Sequence, residues 1–334
     1  MESDMTRLEF QNLLSLWCQS TELDSLEIQE LKRDIEFLEH VLYNDYTPTS
    51  QGRHLDFGGR LSAWIGNLND EADQQTLLTI FRYLLFISRD NFEASHRTVF
   101  SKNVVKWMMD INNLNVFDVN TAQTLTDCLN STRYSQITGS FRLQEFIRIN
   151  GLDGQPRYTW LEHFDGWNRN NFCRDYLNIG TANPIQYLVL FEDFVGSGSQ
   201  MSDILELAIR IPNVNILLCP LFICPGGKTV AEHYAALNPR LTYSPLLELS
   251  PNYLVGPAAN INEPEGFAAI RELITRIHPR VAGGQQEYGP FGFGETGALV
   301  VKHDNCPDNT IPVIHKPNLE EWSPVFYRVP REQN

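Results

Sequence analysis

The sequence lacks several features that would place the protein in a familiar class. It has no run of about 18 consecutive apolar residues, so we expect no membrane-spanning helix. It starts with the acidic segment Met1–Asp4, which argues against a secretory signal peptide and favours a cytoplasmic protein. No two of its six cysteines are spaced as CxxC, so we favour reduced thiols over a zinc or disulfide site.

Positive charge is also scarce. The chain has 26 Lys and Arg against 41 Asp and Glu, a formal net charge of −15. Sequence-independent binding to nucleic acid needs basic side chains that replace phosphate counterions. We therefore expect no strong direct nucleic-acid binding. The alternative that the composition leaves is binding in a local basic cleft. Hydrophobic residues make up 42% of the 334 residues, which is enough for one large domain or two ordinary ones.

Apolar residues at helical spacing dominate the N-terminal third of the chain. The pattern predicts helices at Ser25–Tyr43, Asp70–Ile87 and Ser95–Ile111. Beyond these helices the pattern becomes mixed. We expect a short strand at Val116–Val119 and a helix at Thr121–Leu129.

The most informative stretch is Ile185–Arg210. Apolar residues at Tyr187–Phe191 predict a buried strand, which ends at the adjacent acids Glu192 and Asp193. The small residues Gly196–Ser199 follow, and then a helical pattern begins. Backbone N–H groups in such a turn and at a helix start bind anions, and the acids can accept hydrogen bonds from sugar hydroxyls. This order predicts a sugar-phosphate site, and a plain strand-to-helix turn with solvated acids is the alternative.

Strand and helix patterns alternate further along the chain. Asn215–Ile223 reads as a buried strand, a helix follows it, and Leu241–Leu249 reads as another strand. This alternation predicts a parallel sheet with right-handed crossovers. The turn between these strands contains Gly-Lys-Thr at Gly227–Thr229. A Walker A loop also needs glycine five positions before Gly227, where Phe222 stands. We therefore reject a P-loop and keep Lys228 as a residue near the carboxyl edge of the sheet.

The C-terminal region is the second distinctive part of the sequence. It predicts a helix at Glu263–His278 with Pro279 just past its end. A glycine-rich run follows, and Ala298–Val301 reads as a short strand. The polar segment His303–Pro312 and a closing Trp-x-Pro-x-Phe at Trp322–Phe326 complete the region.

The motif stretch resembles a known signature. The order of apolar strand, Glu192–Asp193, three residues, Ser197, Gly198 and Ser199 resembles that of type I phosphoribosyltransferases, with Gln200 where threonine is usual. The C-terminal region adds His-x-Asn-x-Pro-x-Asn-Thr-x-Pro and the late Trp-x-Pro-x-Phe. Together they resemble the PRTase-CE group, the phosphoribosyltransferase-like effectors of bacterial conflict systems.

This resemblance covers about residues 115–331 and implies a fold. It implies an α/β, Rossmann-like parallel sheet of the type I phosphoribosyltransferase kind after an all-α N-terminal region. The expected domains are a helical region at residues 1–114 and a phosphoribosyltransferase-like domain at residues 115–334, with a glycine-rich and His-Asp-Asn extension. It also implies a toxin effector of anti-phage defence, in some loci a retron. Such an effector needs a protein partner that restrains it, for which a reverse transcriptase–RNA/DNA complex is the candidate.

The resemblance assigns roles to the motif. Glu192 and Asp193 would be the catalytic acids, binding the ribose hydroxyls of phosphoribosyl pyrophosphate or a nucleotide. Mg²⁺ is expected with a pyrophosphate substrate, where it would neutralise the leaving group. The residues that would hold the 5′-phosphate are Val195, Gly196, Ser197, Gly198, Ser199 and Gln200.

Three other groups are weaker candidates. The candidate pyrophosphate loop, for which a helix N-cap is the alternative, is Thr138, Gly139 and Ser140. The candidate acceptor-loop residues are Lys228, His303 and Asn305. The candidates in an aromatic and polar stretch, for which a structured surface loop is the favoured alternative, are Arg157, His163 and Arg169.

Gly196 departs from the pattern of purine-salvage relatives, which carry a proposed acid/base Asp at this position. A glycine cannot move a proton, so the base lies elsewhere, the acceptor needs none, or the site binds without turnover. Three functions therefore stay open. They are a glycosyltransferase acting at ribose C1′, a catalytically inactive sugar-phosphate-binding regulator, and a scaffold whose helical half docks a partner.

Overall fold

The computed structural model describes residues 5–19, 24–48, 56–152, 185–284, 288–318 and 321–329. These residues form two compact units. Unit one comprises the described parts of residues 1–89 and 250–334, and unit two those of residues 90–249. The two units are defined by which residues contact each other in space. The expected boundary at residue 114 rests instead on a change of sequence pattern and stays a prediction.

The elements are numbered in chain order. The helices are α1 (Arg7–Gln19), α2 (Asp24–Val41), α3 (Phe57–Gly66), α4 (Glu71–Thr79), α5 (Arg89–Thr98), α6 (Lys106–Ile111), α7 (Thr121–Asn130), α8 (Leu143–Ile149), α9 (Ser199–Ala208), α10 (Pro225–Leu237), α11 (Phe267–Ala282) and α12 (Pro312–His315). The strands are β1 (Leu85–Ile87), β2 (Thr132–Gln136), β3 (Tyr187–Val195), β4 (Asn215–Ile223), β5 (Leu241–Tyr243), β6 (Leu247–Glu248) and β7 (Val300–Lys302). No described helix has the length and apolar character that crossing a membrane requires.

Unit one packs its helices around an aromatic core. Rings of Tyr43, Phe57, Phe81, Phe86 and Phe326 lie within 4.8 to 6.2 Å of one another in the contacting pairs. Phe326 belongs to the closing Trp-x-Pro-x-Phe motif, so that motif is a core element of this unit. Burial of several aromatic rings is the largest hydrophobic contribution a few residues can make.

Two predictions for unit one are wrong in detail. The helix expected over Asp70–Ile87 ends at Thr79 and is followed by a short 3₁₀ helix at Ile80–Arg82. Leu85–Ile87 forms β1, which pairs in parallel with β7 from the far end of the chain. The helix expected to stop before Pro279 continues through it to Ala282. Proline removes one amide donor near the end of this helix, and Gly283, at φ 58°, provides the left-handed C-cap.

Unit two contains the parallel sheet. Its strand order is β2-β3-β4-β5, with β6 paired to the last part of β4, and every pairing is parallel. Leu190 of β3 lies opposite Ser135 on one side and Leu218 on the other. Helices α9 and α10 cover one face through Leu205 and Ala231, which are fully buried. An α/β fold with a parallel sheet after an all-helical N-terminal region is therefore confirmed.

Three local predictions in unit two need correction. Val116–Val119 forms turns instead of a strand, because no neighbouring strand pairs with it. The helix expected over Ser95–Ile111 is interrupted by a π-helical segment at Val99–Val105. The strand expected over Leu241–Leu249 splits into β5 and β6, and the Asn103 side chain donates to carbonyls of the intervening segment.

Candidate functional site

Three loops meet at the carboxyl edge of the sheet in unit two. Because β2, β3 and β4 are parallel, their carboxyl ends lie at one edge, where ligands bind in such sheets. The loop Ile137–Arg142 follows β2, the glycine-serine turn Gly196–Gly198 follows β3, and Cys224 leads from β4 into α10.

The acid pair lies within β3, not after it as predicted. The pairing of strand β2 with β3 ends at Gln136, which is opposite Phe191. In the loop after β2, the Thr138 N–H donates to Glu192 Oε2 at 2.7 Å. Glu192 and Asp193 are only 4% and 2% exposed. Buried carboxylates need such hydrogen bonds because burial removes their water.

Two loop hydroxyls complete this contact. Thr138 Oγ1 donates to Glu192 Oε1, and Ser140 Oγ lies 2.6 Å from Asp193 Oδ1 and 3.1 Å from Glu192 Oε1. The two hydroxyl oxygens are 2.7 Å apart. The structure thus brings together two groups that are far apart in sequence, the acid pair and the candidate pyrophosphate loop. Thr138 precedes a short 3₁₀ helix without capping it, since its side chain bonds to Glu192.

The turn after β3 presents a row of free amides. Gly198 has φ 83° and ψ 5°, a left-handed conformation that directs the chain into α9. Among the described residues, no protein acceptor receives a hydrogen bond from the N–H groups of residues 197–201. Ser199 and Gln200 are exposed, Ser197 is partly exposed, and the Ser197 and Ser199 hydroxyls lie 3.3 Å apart. Free amides at a helix start attract an anion through hydrogen bonds and through the helix dipole.

The turn is supported by the neighbouring strand-to-helix connection. The Cys224 N–H donates to Val195 O at 2.8 Å, and the Gly227 N–H donates to Gly196 O at 2.9 Å. A Cβ atom on Gly198 would lie 3.0 Å from the Cα of Gly227. Glycine at both positions therefore lets the two turns approach closely. No sequence motif predicted this support, because it links residues about thirty positions apart.

Lys228 forms ion pairs with carboxylates of its own unit. Its Nζ donates to Glu248 Oε2 at 2.6 Å and lies 3.7 Å from Glu232 Oε1. The hydrogen bond to Glu248 raises the pKa of the Lys228 ammonium above its usual range. Tyr243 donates to the other oxygen of Glu248 at 3.3 Å. In this arrangement the lysine charge is directed at acids, and a role in acceptor binding stays a prediction.

The remaining acceptor-loop candidates lie in unit one. His303 is buried, and its backbone N–H donates to Ile87 O at 2.9 Å. The Asn305 side chain bonds to both backbone groups of Val329 and accepts from the Cys306 N–H. These contacts hold the C-terminal tail in place. Candidates Arg157, His163 and Arg169 lie outside the described residues.

Few side chains in the described part of the chain could bind a metal ion or act as a nucleophile. No group of three or more His, Cys, Asp and Glu side chains there is placed to hold a metal ion. The carboxylates and hydroxyls at the β3 edge are oxygen donors, the type that Mg²⁺ prefers, but a complete shell needs further oxygens from a ligand or water. Burial raises the pKa of the neighbouring Cys224 thiol to about 12, so it is not a thiolate nucleophile at neutral pH.

Comparison with known families gives a match over most of the chain. A family model described as PRTase-CE matches residues 61–328, well over half of the chain. The chain belongs to the PRTase-CE family. The PRTase-CE match begins before residue 115, so it includes part of the helical region as well as the motif strand and the C-terminal segment. No curated protein and no solved structure matches the chain.

Proposed function

We propose that this PRTase-CE protein binds phosphoribosyl pyrophosphate, or a nucleotide with the same ribose phosphate, and acts at ribose C1′. One arrangement supports this most directly. Two adjacent buried carboxylates, Glu192 and Asp193, lie in the strand that leads into the left-handed Gly198, and the amides that follow have no acceptor among the described residues. Carboxylates suit sugar hydroxyls and amides suit a phosphate, so the order matches a ribose 5-phosphate.

The proposed reaction is a group transfer at C1′. The bond between C1′ and the pyrophosphate oxygen breaks, the pyrophosphate leaves with the electron pair, and a lone pair of the acceptor forms the new bond to C1′. A neutral N–H or O–H acceptor then gives its proton to the leaving pyrophosphate or to water. Glu192 and Asp193 orient the ribose and stabilise the positive charge that develops on the ring. Bound Mg²⁺ would neutralise the leaving pyrophosphate, with Glu192, Asp193 and the phosphate oxygens as its neighbours.

The test is calorimetric titration of phosphoribosyl pyrophosphate with Mg²⁺. Wild type should bind, and Asp193→Asn should bind at least about tenfold more weakly, since a hydrogen bond to a charged group contributes roughly 1.5–3 kcal/mol. Asp127→Asn is the matched control because that carboxylate lies on the exposed face of α7. Equal binding by wild type and Asp193→Asn would rule out the assignment.

A second candidate function is sugar-phosphate binding without turnover. It is favoured by Gly196, which has no side chain where purine-salvage relatives place an acid/base group. Pyrophosphate release measured over a panel of nucleobases, amines and alcohols distinguishes the two. Binding without release for any acceptor would favour a regulator over a glycosyltransferase.

We further propose that a protein partner restrains the activity. An effector of anti-phage defence that consumes a central metabolite harms its own cell, so it requires restraint until infection. A reverse transcriptase–RNA/DNA complex of a retron, in the bacterial cytoplasm, is the proposed partner. Turnover by the isolated chain should fall when this complex is added, and unchanged turnover with no stable association would contradict the proposal.

A further inference from the structure

We propose that Thr138 and Ser140 act as an internal substitute for the ribose diol, which a ligand must displace, and that they make the site selective for ribose over 2-deoxyribose. This inference rests on the proposed function, because it requires Glu192 and Asp193 to bind sugar hydroxyls. It assigns the two residues a role in specificity that differs from holding pyrophosphate.

The positions of the Thr138 and Ser140 hydroxyls support their role as a substitute for the ribose diol. The two oxygens are 2.7 Å apart, a separation close to that of hydroxyls on neighbouring carbons of a sugar ring. One contacts Glu192 Oε1 and the other contacts Asp193 Oδ1 at 2.6 Å. A ribose diol would need these same carboxylate oxygens. The loop hydroxyls and the sugar hydroxyls therefore compete for one set of acceptors.

The exchange replaces one pair of hydroxyl donors with another, and the bond from the Thr138 N–H to Glu192 breaks with it. Two loop hydroxyls supply two protons, and the ribose 2- and 3-hydroxyls supply two in their place. A 2-deoxy sugar supplies only one, so the two carboxylates receive one hydroxyl donor fewer. A hydrogen bond to a charged group is stronger than one between neutral groups, so its loss weakens binding. We expect 2-deoxyribose 5-phosphate to bind at least about tenfold more weakly than ribose 5-phosphate.

The part of the loop that must move is short. Gly139 is exposed and Ser140 partly exposed, whereas Thr138 and the acids beneath the loop are buried. The loop is anchored on both sides, since the Ile137 N–H donates to Phe191 O and the Phe141 ring stacks on Phe191 at 4.7 Å. Only the short segment between these anchors needs to shift to admit a sugar.

The test is amide hydrogen exchange with ribose 5-phosphate as the probe. Displacement breaks the bond from the Thr138 N–H to Glu192, so exchange at Thr138 should rise, while exchange at residues 197–201 should fall as their amides bind the phosphate. Inorganic phosphate, which has no hydroxyl diol, should slow exchange at residues 197–201 and leave Thr138 unchanged. Protection of residues 197–201 by ribose 5-phosphate without faster exchange at Thr138 would overturn this inference alone. No change at either segment at saturating probe would overturn the proposed function as well.

A variant gives an independent measurement. Ser140→Ala removes one competing hydroxyl, so it should bind ribose 5-phosphate several-fold more tightly than wild type. The matched control is Ser101→Ala, an exposed serine whose hydroxyl bonds to its own helix. Weaker binding by Ser140→Ala would show that the serine contacts the ligand. It would overturn the proposal that the serine hydroxyl competes with the sugar for the carboxylates.

Discussion

Gly198 is the residue at which the geometry of the glycine-serine turn Gly196–Gly198 can be tested most sharply. Gly198→Ala introduces a Cβ into a left-handed backbone and against a neighbouring chain. The new atom would lie 3.0 Å from the Cα of Gly227 and 3.2 Å from the side chain of Val230. Gly151 is a matched control in the same unit. It has φ 64°, and a Cβ there would meet nothing within 4 Å.

The two variants separate backbone strain from close packing. A left-handed conformation costs a non-glycine residue about 1–2 kcal/mol, and this applies to both positions. At Gly198 the backbone of the second turn must also shift, and overpacking of this kind costs about 1–3 kcal/mol more. We expect Gly198→Ala to lower the free energy of unfolding by about 2–5 kcal/mol and Gly151→Ala by about 1–2 kcal/mol.

Urea denaturation measures this difference through the midpoint at unchanged slope. Titration with ribose 5-phosphate, which should fail for Gly198→Ala and succeed for Gly151→Ala, measures the functional effect. Equal loss of stability in both variants would refute the argument that close contact with Gly227 constrains the turn. Retained binding by Gly198→Ala would refute the assignment of this turn to the phosphate.

Three other predictions concern unit one. The hydrogen bond from Arg271 lowers the pKa of Glu263, so its stabilisation is present above about pH 4.3 and is lost as pH falls through the lower folded value. Glu263→Gln should therefore cost stability in urea titrations at pH 7 and little at pH 3, and an equal cost at both would contradict this. Burial lowers the pKa of His315 to about 3, while an unfolded histidine titrates near pH 6.5, so the free energy of unfolding should fall as pH drops from about 6.5. His315→Gln should weaken this dependence between pH 7 and 5, and an unchanged dependence would contradict this. Asn305→Ala removes the hydrogen bonds that hold the C-terminal tail and should destabilise by about 1–3 kcal/mol without weakening sugar-phosphate binding. Lost binding at unchanged stability would instead support its role in an acceptor loop.

Some of the candidate site was predictable from the sequence, because its parts are adjacent in the chain. The run Tyr187–Phe191 is apolar enough to predict a buried strand, and Gly196–Ser199 has the small residues that a strand-to-helix turn requires. The left-handed conformation at Gly198 follows from this local pattern. Periodicity likewise predicted α2 within two residues at each end. The continuation of the strand through the acids to Val195 was not predicted.

Strand β2 was not predicted, and its loop could not be assigned with certainty. Its residues, Thr-Arg-Tyr-Ser-Gln, are mostly polar and match no apolar strand pattern, yet all five are buried. Pairing with β3 and packing on both faces of the sheet bury them. In the same way, Leu85–Ile87 suits either a helix or a strand by periodicity, and its pairing with β7 made it a strand.

The sequence by itself determined the α/β class, the membership of the motif in a strand–acid–turn–helix unit, and the residue types available for phosphate and hydroxyl binding. Each of these depends on neighbours within one or two turns of chain. Only the tertiary structure decided that Thr138 and Ser140 meet Glu192 and Asp193, that Gly227 supports the glycine-serine turn, and that Lys228 contacts acids. The physical reason is that strand order and register join segments distant in sequence, and no local periodicity encodes which strand ends will meet.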